Sequence, residues 1–295
     1  MAITYNDLYL DIRRQLRETG VEAATLEARE LTCFGLGKSR EELLRDSRLY
    51  AGTAQEQRVR ELARRRLAGE PVAYLTGEWE FYGLPLDITP DVLIPRGDTE
   101  VLAGQAIAYA RRLGECRVLD LCAGSGCIGL AVADKAPGAK VVLGEFSDGA
   151  LKLCRQNIRR NGLSGRAVPV QVDALERPDP TLGVFQCIVS NPPYIPSGDI
   201  DGLDSSVKDF EPRIALDGGA DGLRFYRSIC EKWKAVLVPG GRLYFEVGIG
   251  QADWVLRIMR GQGFGDIQTV HDLAGIPRVV YGTLCTEIYS SCPNF

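Results

Sequence analysis

The chain has 295 residues, a length typical of about two domains, and 45% of them are hydrophobic, as expected for a protein with a substantial buried core. Its 35 basic and 39 acidic residues give a formal net charge of −4, which disfavours a broad nucleic-acid-binding surface. The chain has no run of about 18 apolar residues, and its N-terminus lacks the basic-then-apolar order of a signal peptide, so we expect a cytoplasmic protein without a membrane span.

The nine cysteines contain no Cys-x-x-Cys pair, and the chain has a single histidine, His271. Zinc sites usually combine closely spaced thiolates, or thiolates with histidines, so we expect no metal site. An odd number of cysteines in a reducing compartment is typical of small buried hydrophobic side chains rather than of a disulfide framework. The scarcity of histidine also disfavours Ser-His-Asp and Cys-His catalysis.

Residues 1–75 predict a small helical domain. Tyr5, Leu8, Ile12 and Leu16 recur at spacings of three and four, which places them on one face of a helix. Further helices follow in the same segment, so we expect a small bundle.

Two of these later helices begin at predicted capping boxes, Ser39 with Glu42 and Thr53 with Glu56. The helix after Thr53 carries five arginines: Arg58, Arg60, Arg64, Arg65 and Arg66. A solvated helix face is the favoured interpretation of these arginines, with a docking surface for a partner as the alternative.

Residues 76–95 predict a β-hairpin that links two domains, because aromatic and β-branched residues flank Tyr82-Gly83. A helix is predicted over 99–113, and apolar strands then alternate with helices. The strands are predicted at 116–122, 140–146, 167–173, 185–190, 241–248, 266–272 and 278–284. Such alternation is typical of βαβ units, so residues 96–295 predict an α/β domain with a mostly parallel sheet covered on both faces.

The turn after the first of these strands is rich in glycine. Gly124, Gly126 and Gly129 match the G-x-G-x-x-G pattern of dinucleotide-binding turns, in which glycines let the backbone approach a ligand closely. Glu145 follows about 20 residues later and could bind the two hydroxyls of a ribose. A dinucleotide-dependent oxidoreductase is therefore one hypothesis.

Asp120 favours a different ligand for the same turn. It lies at the end of the strand, where we expect its carboxylate to face the pocket and to suit a cationic or amine-bearing ligand. This acid, the glycine turn and Glu145 together resemble the S-adenosylmethionine site of Rossmann-like methyltransferases. The turn alone leaves both ligands open.

The resemblance implies a set of contacts with the cofactor. Asp120 and the glycine turn would hold the methionine part and Glu145 the ribose, with Asp173 and Ala174 beside the adenine. The residues assigned to the cofactor are Asp120, Cys122, Ala123, Gly124, Ser125, Gly126, Glu145, Asp173, Ala174 and Asn191.

The segment Asn191-Pro192-Pro193-Tyr194 follows a predicted strand, and in a doubly wound sheet it lines the same crevice as the glycine turn. The side-chain oxygen of Asn191 and the carbonyl oxygen of Pro192 can form two convergent acceptors, which suits a planar NH₂ group. Tyr194 offers an aromatic face against which an amide or a base can pack. We therefore predict Asn191, Pro192 and Tyr194 as catalytic residues, with Pro193 completing the substrate-binding segment.

Together with three further segments, this motif resembles the release factor glutamine methyltransferase family. Methyltransferases of adenine amino groups and of glutamine amides share Asn-Pro-Pro-Tyr, and the further segments indicate the glutamine branch. They are residues 93–100 (LIPRGDTE), 209–223 (DFEPRIALDGGADGL) and 272–280 (DLAGIPRVV). Gly97 stands where the family usually has proline, and Glu145 where aspartate is common; neither change removes a reactive group.

The resemblance implies a class I S-adenosylmethionine-dependent methyltransferase fold: a Rossmann-like, seven-stranded, mostly parallel sheet whose last strand is antiparallel, preceded by a helical bundle and a β-hairpin. It also implies methyl transfer from S-adenosyl-L-methionine to N5 of the glutamine in the Gly-Gly-Gln motif of peptide chain release factors. The reaction leaves S-adenosyl-L-homocysteine and modulates translation termination.

Further expectations follow from the same resemblance. The helical domain (1–75) would recognise the substrate, and the hairpin would help to grip it. Pro95, Arg96 and Glu100 would shape the pocket wall near the donor. We expect release factors as partners, a monomeric enzyme, and neither a membrane nor a nucleic acid as a direct target.

Two other substrates remain as alternatives. A ribosomal protein is the first, because a sister group shares the Asn-Pro-Pro-Tyr pocket. Adenine N6 in DNA or RNA is the second; it would require a base flipped into the pocket and normally a basic channel, which the net charge of −4 disfavours.

Overall fold

The structure is a computed structural model that describes residues 2–285, and they form two compact units. One unit contains the chain up to Glu78 together with Asp204–Phe210. The other contains Trp79–Leu203 and the chain from Glu211 onward. Among residues 2–285, no helix combines the length and the apolar character that crossing a membrane requires.

Helices dominate the first part of the chain, and strands alternate with helices in the rest. The helices are α1 (Tyr5–Glu18), α2 (Ala24–Leu36), α3 (Arg40–Arg45), α4 (Thr53–Leu67), α5 (Val72–Thr76), α6 (Thr99–Leu113), α7 (Cys127–Lys135), α8 (Asp148–Arg160), α9 (Ser205–Lys208), α10 (Arg224–Lys232) and α11 (Ala252–Gly261). The strands are β1 (Glu78–Phe81), β2 (Leu84–Asp87), β3 (Cys116–Leu121), β4 (Ala139–Glu145), β5 (Ala167–Gln171), β6 (Phe185–Ser190), β7 (Leu237–Glu246), β8 (Phe264–His271) and β9 (Pro277–Leu284).

The helical unit closes around its own apolar core. The predicted face of α1 is confirmed, because Tyr5, Leu8, Ile12 and Leu16 are all buried and belong to one cluster with Leu31 of α2. Burial of such a face supplies most of the stability of short helices, since isolated helices of this length are marginal in water.

One of the two predicted capping boxes is confirmed. Ser39 Oγ accepts from Glu42 N at 3.2 Å, and Glu42 Oε2 accepts from Ser39 N at 2.8 Å. The second is wrong, because Thr53 is already the first helical residue of α4 and Gly52 occupies the cap. Gly52 has the extended backbone angles of a cap residue but no side chain that could accept a hydrogen bond. Only one half of a capping box therefore forms, in which Gln55 Oε1 accepts from Gly52 N at 3.1 Å.

Arginines of α4 pair with other helices of the same unit. Arg60 binds Asp11 of α1 at 2.8 Å, and Arg66 binds Glu27 of α2 at 2.6 Å. These guanidinium groups therefore join α4 to its neighbours, in addition to covering a partly exposed face of the unit.

The second unit contains a seven-stranded sheet in the order β5-β4-β3-β6-β7-β9-β8. The five strands from β5 to β7 pair in parallel, whereas β9 pairs antiparallel with both β7 and β8. This is the class I methyltransferase fold, with the antiparallel last strand that the family resemblance implied. Apolar side chains such as Leu119, Ile188 and Phe245 are fully buried and form one core with Tyr226 and Trp233.

β1 and β2 form a separate two-stranded sheet. Tyr82 and Gly83 connect them with φ angles of 54° and 77°, the left-handed geometry of a tight hairpin turn. The fully buried Asn157 of α8 anchors the end of β2: its Oδ1 accepts from Asp87 N at 2.7 Å, and its Nδ2 donates to the carbonyls of Asp87 and Ser125. One amide thus joins the hairpin to the glycine turn.

Gly129→Ala should destabilise the second unit. A Cβ at Gly129 of α7 would lie 2.3 Å from Leu143 Cδ2 and 3.0 Å from Asp120 Cβ, so the buried Leu143 side chain must be displaced and Asp120 must shift slightly. We expect the free energy of unfolding to fall by about 1–3 kcal/mol, measured by thermal or denaturant unfolding. Gly261→Ala in α11 is the matched control, because no atom lies within 4 Å of its Cβ position. Equal stability of the two variants would contradict the close packing of α7.

Candidate active site

A cavity of about 510 Å³ lies at the carboxyl ends of β3, β4, β5 and β6. A volume of this size is typical of a small-molecule site. Its wall contains most of the residues that the sequence assigned to a cofactor: Cys122, Ala123, Gly124, Ser125, Glu145, Asp173, Ala174 and Asn191. Two of the assigned residues, Asp120 and Gly126, are not part of the wall.

The glycine turn bends sharply after β3. Gly124 and Gly126 have φ angles of 55° and 82°, and Cys122 adopts a φ of 64°, which L side chains rarely occupy. A non-glycine residue in this region costs roughly 1 kcal/mol, and the surrounding turn must supply that stabilisation. Gly126 is the N-cap of α7, so the turn leads directly into the start of a helix.

Glu145 is held rigidly at the end of β4. Its Oε2 accepts from Gly124 N at 2.8 Å, and its Oε1 accepts from the backbone N–H groups of Phe146 and Ser147 at 2.8 and 2.9 Å. Three backbone donors thus fix a carboxylate on the cavity wall beside the glycine turn. This placement suits recognition of a ligand hydroxyl group, because Oε2 accepts only one of these hydrogen bonds and retains capacity for another donor.

Asp120 does not face the cavity, contrary to the expectation from the sequence. Its side chain is fully buried and is not part of the cavity wall, and its Oδ2 accepts from Gly129 N at 2.7 Å. Gly129 is the third residue of α7, so Asp120 binds one of the backbone donors that a helix start leaves unpaired. Asp120 therefore stabilises the start of α7 after the glycine turn, whereas residues 122–125 of the turn line the cavity.

Hydrogen bonds also fix the wall after β5. Asp173 Oδ1 accepts from Leu175 N at 2.8 Å, and the carbonyl of Ala174 accepts from Ser228 Oγ at 3.0 Å and from Trp233 Nε1 at 3.2 Å. These hydrogen bonds fix residues 173–175 in position at the cavity wall.

One polar atom of the wall stays unsatisfied. Ser125 Oγ is buried and has no hydrogen-bond partner within residues 2–285. Because buried polar groups in folded proteins are usually paired, an unpaired hydroxyl on a cavity wall is consistent with a polar ligand there. The turn, Glu145 and this hydroxyl together fit a ligand that combines a ribose with a polar tail, as S-adenosylmethionine does.

The acceptor segment after β6 places alternate side chains in different surroundings. Asn191 and Pro193 line the cavity, whereas Pro192 and Tyr194 do not, because successive side chains of an extended segment point to opposite sides. Asn191 Nδ2 lies 3.4 Å from Thr99 Oγ1 of α6. Pro192 can therefore contribute only backbone atoms to a ligand in this cavity, and the aromatic wall expected from Tyr194 is absent from it.

Tyr194 instead packs against the core of the second unit. Burial raises the pKa of its hydroxyl from 10.0 to about 12, so the phenol stays neutral. Its carbonyl accepts from Gln251 Nε2 at 2.9 Å, and Gln251 Oε1 accepts from Gly248 N at 3.0 Å. Gln251, which the sequence did not single out, thereby fixes the backbone of the acceptor segment.

The loop before α6 contributes to the wall in a different way from that expected. Pro95 lines the cavity, but Arg96 and Glu100 do not. Arg96 forms an ion pair with the buried Glu211, and Glu100 Oε1 accepts from Tyr82 N at 2.9 Å. Arg96 and Glu100 therefore connect this loop and the start of α6 to other segments of the second unit, and neither side chain lines the cavity.

The cysteines differ in their surroundings. Six are buried: Cys33, Cys116, Cys127, Cys154, Cys187 and Cys230. Cys122 is half-buried on the cavity wall and burial raises the pKa of its thiol, while Cys285 is exposed and Cys292 lies outside the described residues. Among residues 2–285, no group of three or more side chains could hold a metal ion.

Several residues of the cavity wall were not predicted from the sequence. Arg213, Ile214, Arg224 and Phe225 line the cavity from the connection after β6, as does Thr99 from α6. The segment 209–223 is a family signature, but a signature does not indicate which side chains face a cavity. Only the three-dimensional path of the connection brings them there.

Both units of the chain match known protein families. Residues 7–77 match the PrmC N-terminal domain family, and residues 104–202 match the methyltransferase small domain family. A release factor glutamine methyltransferase from Geobacter sulfurreducens is 43% identical over 274 residues, covering 92% of this chain and 94% of the relative. One from Burkholderia pseudomallei is 40% identical over 273 residues, covering 91% and 94%.

The chain belongs to the release factor glutamine methyltransferase family. Members of this family are enzymes that use S-adenosylmethionine, and the cavity described above fits that cofactor. The dinucleotide hypothesis for the glycine turn is therefore not retained.

Solved structures show the same fold in more distant methyltransferases. The hMettl16 catalytic domain, solved in complex with a 3′UTR hairpin, matches with a TM-score of 0.56 at 17% identity and covers 70% of this chain and 77% of its own. A methyltransferase from Pyrococcus furiosus matches with a TM-score of 0.51 at 16% identity, covering 76% and 98%. At these identities, the similarity between these two solved structures and the present chain concerns the fold alone.

Asp120→Asn should change how stability depends on pH. Burial raises the pKa of Asp120 from 3.8 to about 7, against the hydrogen bond from Gly129 N, which lowers it. A carboxyl whose pKa is raised on folding stabilises the protein below its unfolded pKa, and this contribution is lost as the pH rises through the folded pKa. Relative to Asp120→Asn, the wild type should lose roughly 2–4 kcal/mol of unfolding free energy between about pH 4 and pH 7.

Denaturant unfolding across this pH range measures the difference. Asp201→Asn is the control, because it makes the same substitution at a side chain that is 94% exposed. Parallel stability curves for the wild type and Asp120→Asn would show that Asp120 is not buried beneath the turn.

Proposed function

We propose that this enzyme transfers a methyl group from S-adenosylmethionine to N5 of the glutamine in the Gly-Gly-Gln motif of a peptide chain release factor. The observation that carries the proposal is the position of the Asn191 amide, on the wall of the cofactor-sized cavity at the carboxyl end of β6. The names of the relatives support release factors as the substrate class.

The chemistry needs orientation more than acid–base catalysis. An amide nitrogen is weakly nucleophilic, because its lone pair is delocalised into the carbonyl. Asn191 Oδ1 and the Pro192 carbonyl can accept one hydrogen each from the acceptor NH₂, which would direct the nitrogen toward the donor. S-adenosylmethionine supplies an electrophilic methyl group on a sulfonium. A new bond would form between N5 and that methyl carbon as the bond from the methyl carbon to sulfur breaks, its electron pair would stay on the sulfur of S-adenosylhomocysteine, and the nitrogen would lose one proton to water.

The surroundings of Asn191 support this division of roles. Burial keeps the Tyr194 phenol neutral, and burial likewise raises the pKa of the Cys122 thiol, so neither is poised as a strong base at neutral pH. Binding and positioning of two substrates are therefore the contributions that these residues can make. We assign recognition of the release factor protein to the helical unit, whose family match spans residues 7–77.

The first test offers labelled S-adenosylmethionine with three acceptors in separate reactions: an unmethylated release factor, a ribosomal protein preparation and duplex DNA. We expect label on the release factor, lost when the glutamine of its Gly-Gly-Gln motif is replaced. Label on ribosomal protein or on DNA instead would overturn the substrate while leaving the methyltransferase fold in place.

Asn191→Ala should abolish methyl transfer and change donor affinity by less than about tenfold, because the side chain holds the acceptor amide. Single-turnover transfer and equilibrium binding of the donor separate the two effects. Asn161→Ala is a matched control, since Asn161 donates to the Pro85 carbonyl at 2.9 Å and lies outside the cavity wall. Equal losses of transfer and of donor binding in Asn191→Ala would assign Asn191 to the donor site.

Glu145→Ala should weaken donor binding by about 10–100-fold, since a hydrogen bond to a charged group contributes about 1.5–3 kcal/mol. Asp148→Ala removes an equal charge three positions along, from a side chain outside the wall, and should bind the donor as the wild type does. Unchanged affinity in Glu145→Ala would remove this carboxylate from the donor site.

A further inference from the structure

Glu246 is a buried carboxylate to which neither the sequence nor the proposed function assigns a role. It is the last residue of β7, pairs in register with Val279 of β9, and is only 3% exposed. Its Oε2 has no hydrogen-bond partner in the part of the chain that the structure describes. Burying a carboxylate in this way is costly unless nearby groups stabilise its charge.

Burial raises the pKa of the Glu246 carboxyl from 4.5 to about 7, and two side chains of the active site oppose this rise. The hydroxyl of Thr99 and the amide of Asn191 both interact with the Glu246 carboxylate and favour its charged form. The positive charge of Arg278 acts in the same direction, and Arg278 is itself fixed between Asp98 at 2.9 Å and Asp272 at 3.0 Å. Glu246 therefore interacts with Thr99 and Asn191, which both line the cavity, although it does not line the cavity itself.

Thr99 connects Glu246 to Asn191. It is the first residue of α6, is 2% exposed, and lines the same cavity as Asn191. Its single hydroxyl proton prefers the carboxylate, because hydrogen bonds to charged acceptors are the stronger ones. The oxygen of Thr99 is then left as an acceptor, and Asn191 Nδ2 is the group placed 3.4 Å from it.

This arrangement decides which end of the Asn191 amide faces the cavity. A side-chain amide has an acceptor end and a donor end, and the two orientations differ only in their hydrogen-bond partners. Here the NH₂ end has the Thr99 oxygen and the Glu246 carboxylate as neighbours, both acceptors. The oxygen is consequently turned away from them. An amide flipped by a half-turn would place its oxygen against a carboxylate and its NH₂ against the acceptor NH₂.

We propose that Thr99 and Glu246 are positioning residues that hold the Asn191 amide with its oxygen toward the acceptor nitrogen. The inference rests on the proposed function in one respect, namely that the methylated group is an NH₂. In this proposal, both residues act through Asn191 and not directly on the reacting atoms. They act on the rate of methyl transfer by keeping Asn191 in the one orientation that can accept a hydrogen from the substrate.

Three variants test the proposal in the full-length enzyme. Thr99→Val keeps the shape of the side chain but removes the hydroxyl, and Thr99→Ser keeps the hydroxyl. Glu246→Gln keeps the shape but replaces the carboxylate with an amide that can both donate and accept. For each variant, kcat and KM are measured with the acceptor that the wild type methylates, and the dissociation constant of S-adenosylmethionine is measured by titration.

Thr99→Val and Glu246→Gln should each lower kcat by about tenfold or more, with the donor dissociation constant within about threefold of the wild type. Thr99→Ser should recover kcat to within about threefold of the wild type. A purely structural role of Thr99 at the start of α6 would instead lower thermal stability and donor binding along with kcat. Thermal unfolding of each variant reports that outcome separately, and Glu246→Gln tests the same arrangement from another strand if Thr99→Val folds poorly.

Unchanged kcat in both Thr99→Val and Glu246→Gln would overturn the proposal, as would a Thr99→Ser variant as slow as Thr99→Val. Failure of the proposed function gives a different result, because the wild type would then leave release factor unlabelled. If it methylates another NH₂ group, the same variants measured on that substrate still decide whether the Asn191 amide is held by Thr99 and Glu246.

Discussion

Parallel pairing of β5, β4, β3 and β6 is the constraint on which the active site depends, because it brings the carboxyl ends of four strands to one edge of the sheet. The turns that follow these strands are distant in the chain, yet they share one cavity wall. Ser190 Oγ donates to the carbonyl of Leu121 at 2.6 Å and joins β6 to β3 at that edge. The acceptor segment and the glycine turn are therefore held next to each other by strand register.

Most polar groups around the cavity are already bound to the protein itself, which leaves few for ligands. Glu145 accepts three backbone hydrogen bonds, and Asp120 binds the start of α7 without reaching the wall. Such bonds fix the wall before any ligand arrives, so binding has little conformational entropy left to remove. Two polar atoms of the wall differ from these. Ser125 Oγ has no hydrogen-bond partner among residues 2–285, and Asn191 uses its Nδ2 for the contact with Thr99, so that its oxygen can accept from a ligand.

The strands and the fold can be predicted from the sequence, because strands buried on both faces of a parallel sheet are continuous runs of apolar residues. Prediction from the sequence misplaces Asp120, because one residue of difference along β3 sends a side chain to the other side of the sheet. Thr99 and Glu246 could not be found from the sequence at all. They reach Asn191 through the packing of α6 and the register of β7, and no local pattern marks such contacts between distant positions.

The connection after the acceptor segment is fixed at both of its ends. It leaves the second unit at Leu203, contributes Asp204–Phe210 to the helical unit, and returns at Glu211. Within the helical unit, a Cβ at Gly69 would lie 3.3 Å from the Phe210 ring, so this excursion is closely packed there. On its return, Glu211 accepts from Ile94 N at 3.1 Å and pairs with Arg96, beside the loop that carries Pro95 into the cavity wall. Contacts within the helical unit therefore hold Phe210, and separate contacts within the second unit hold Glu211 next to the loop that carries Pro95.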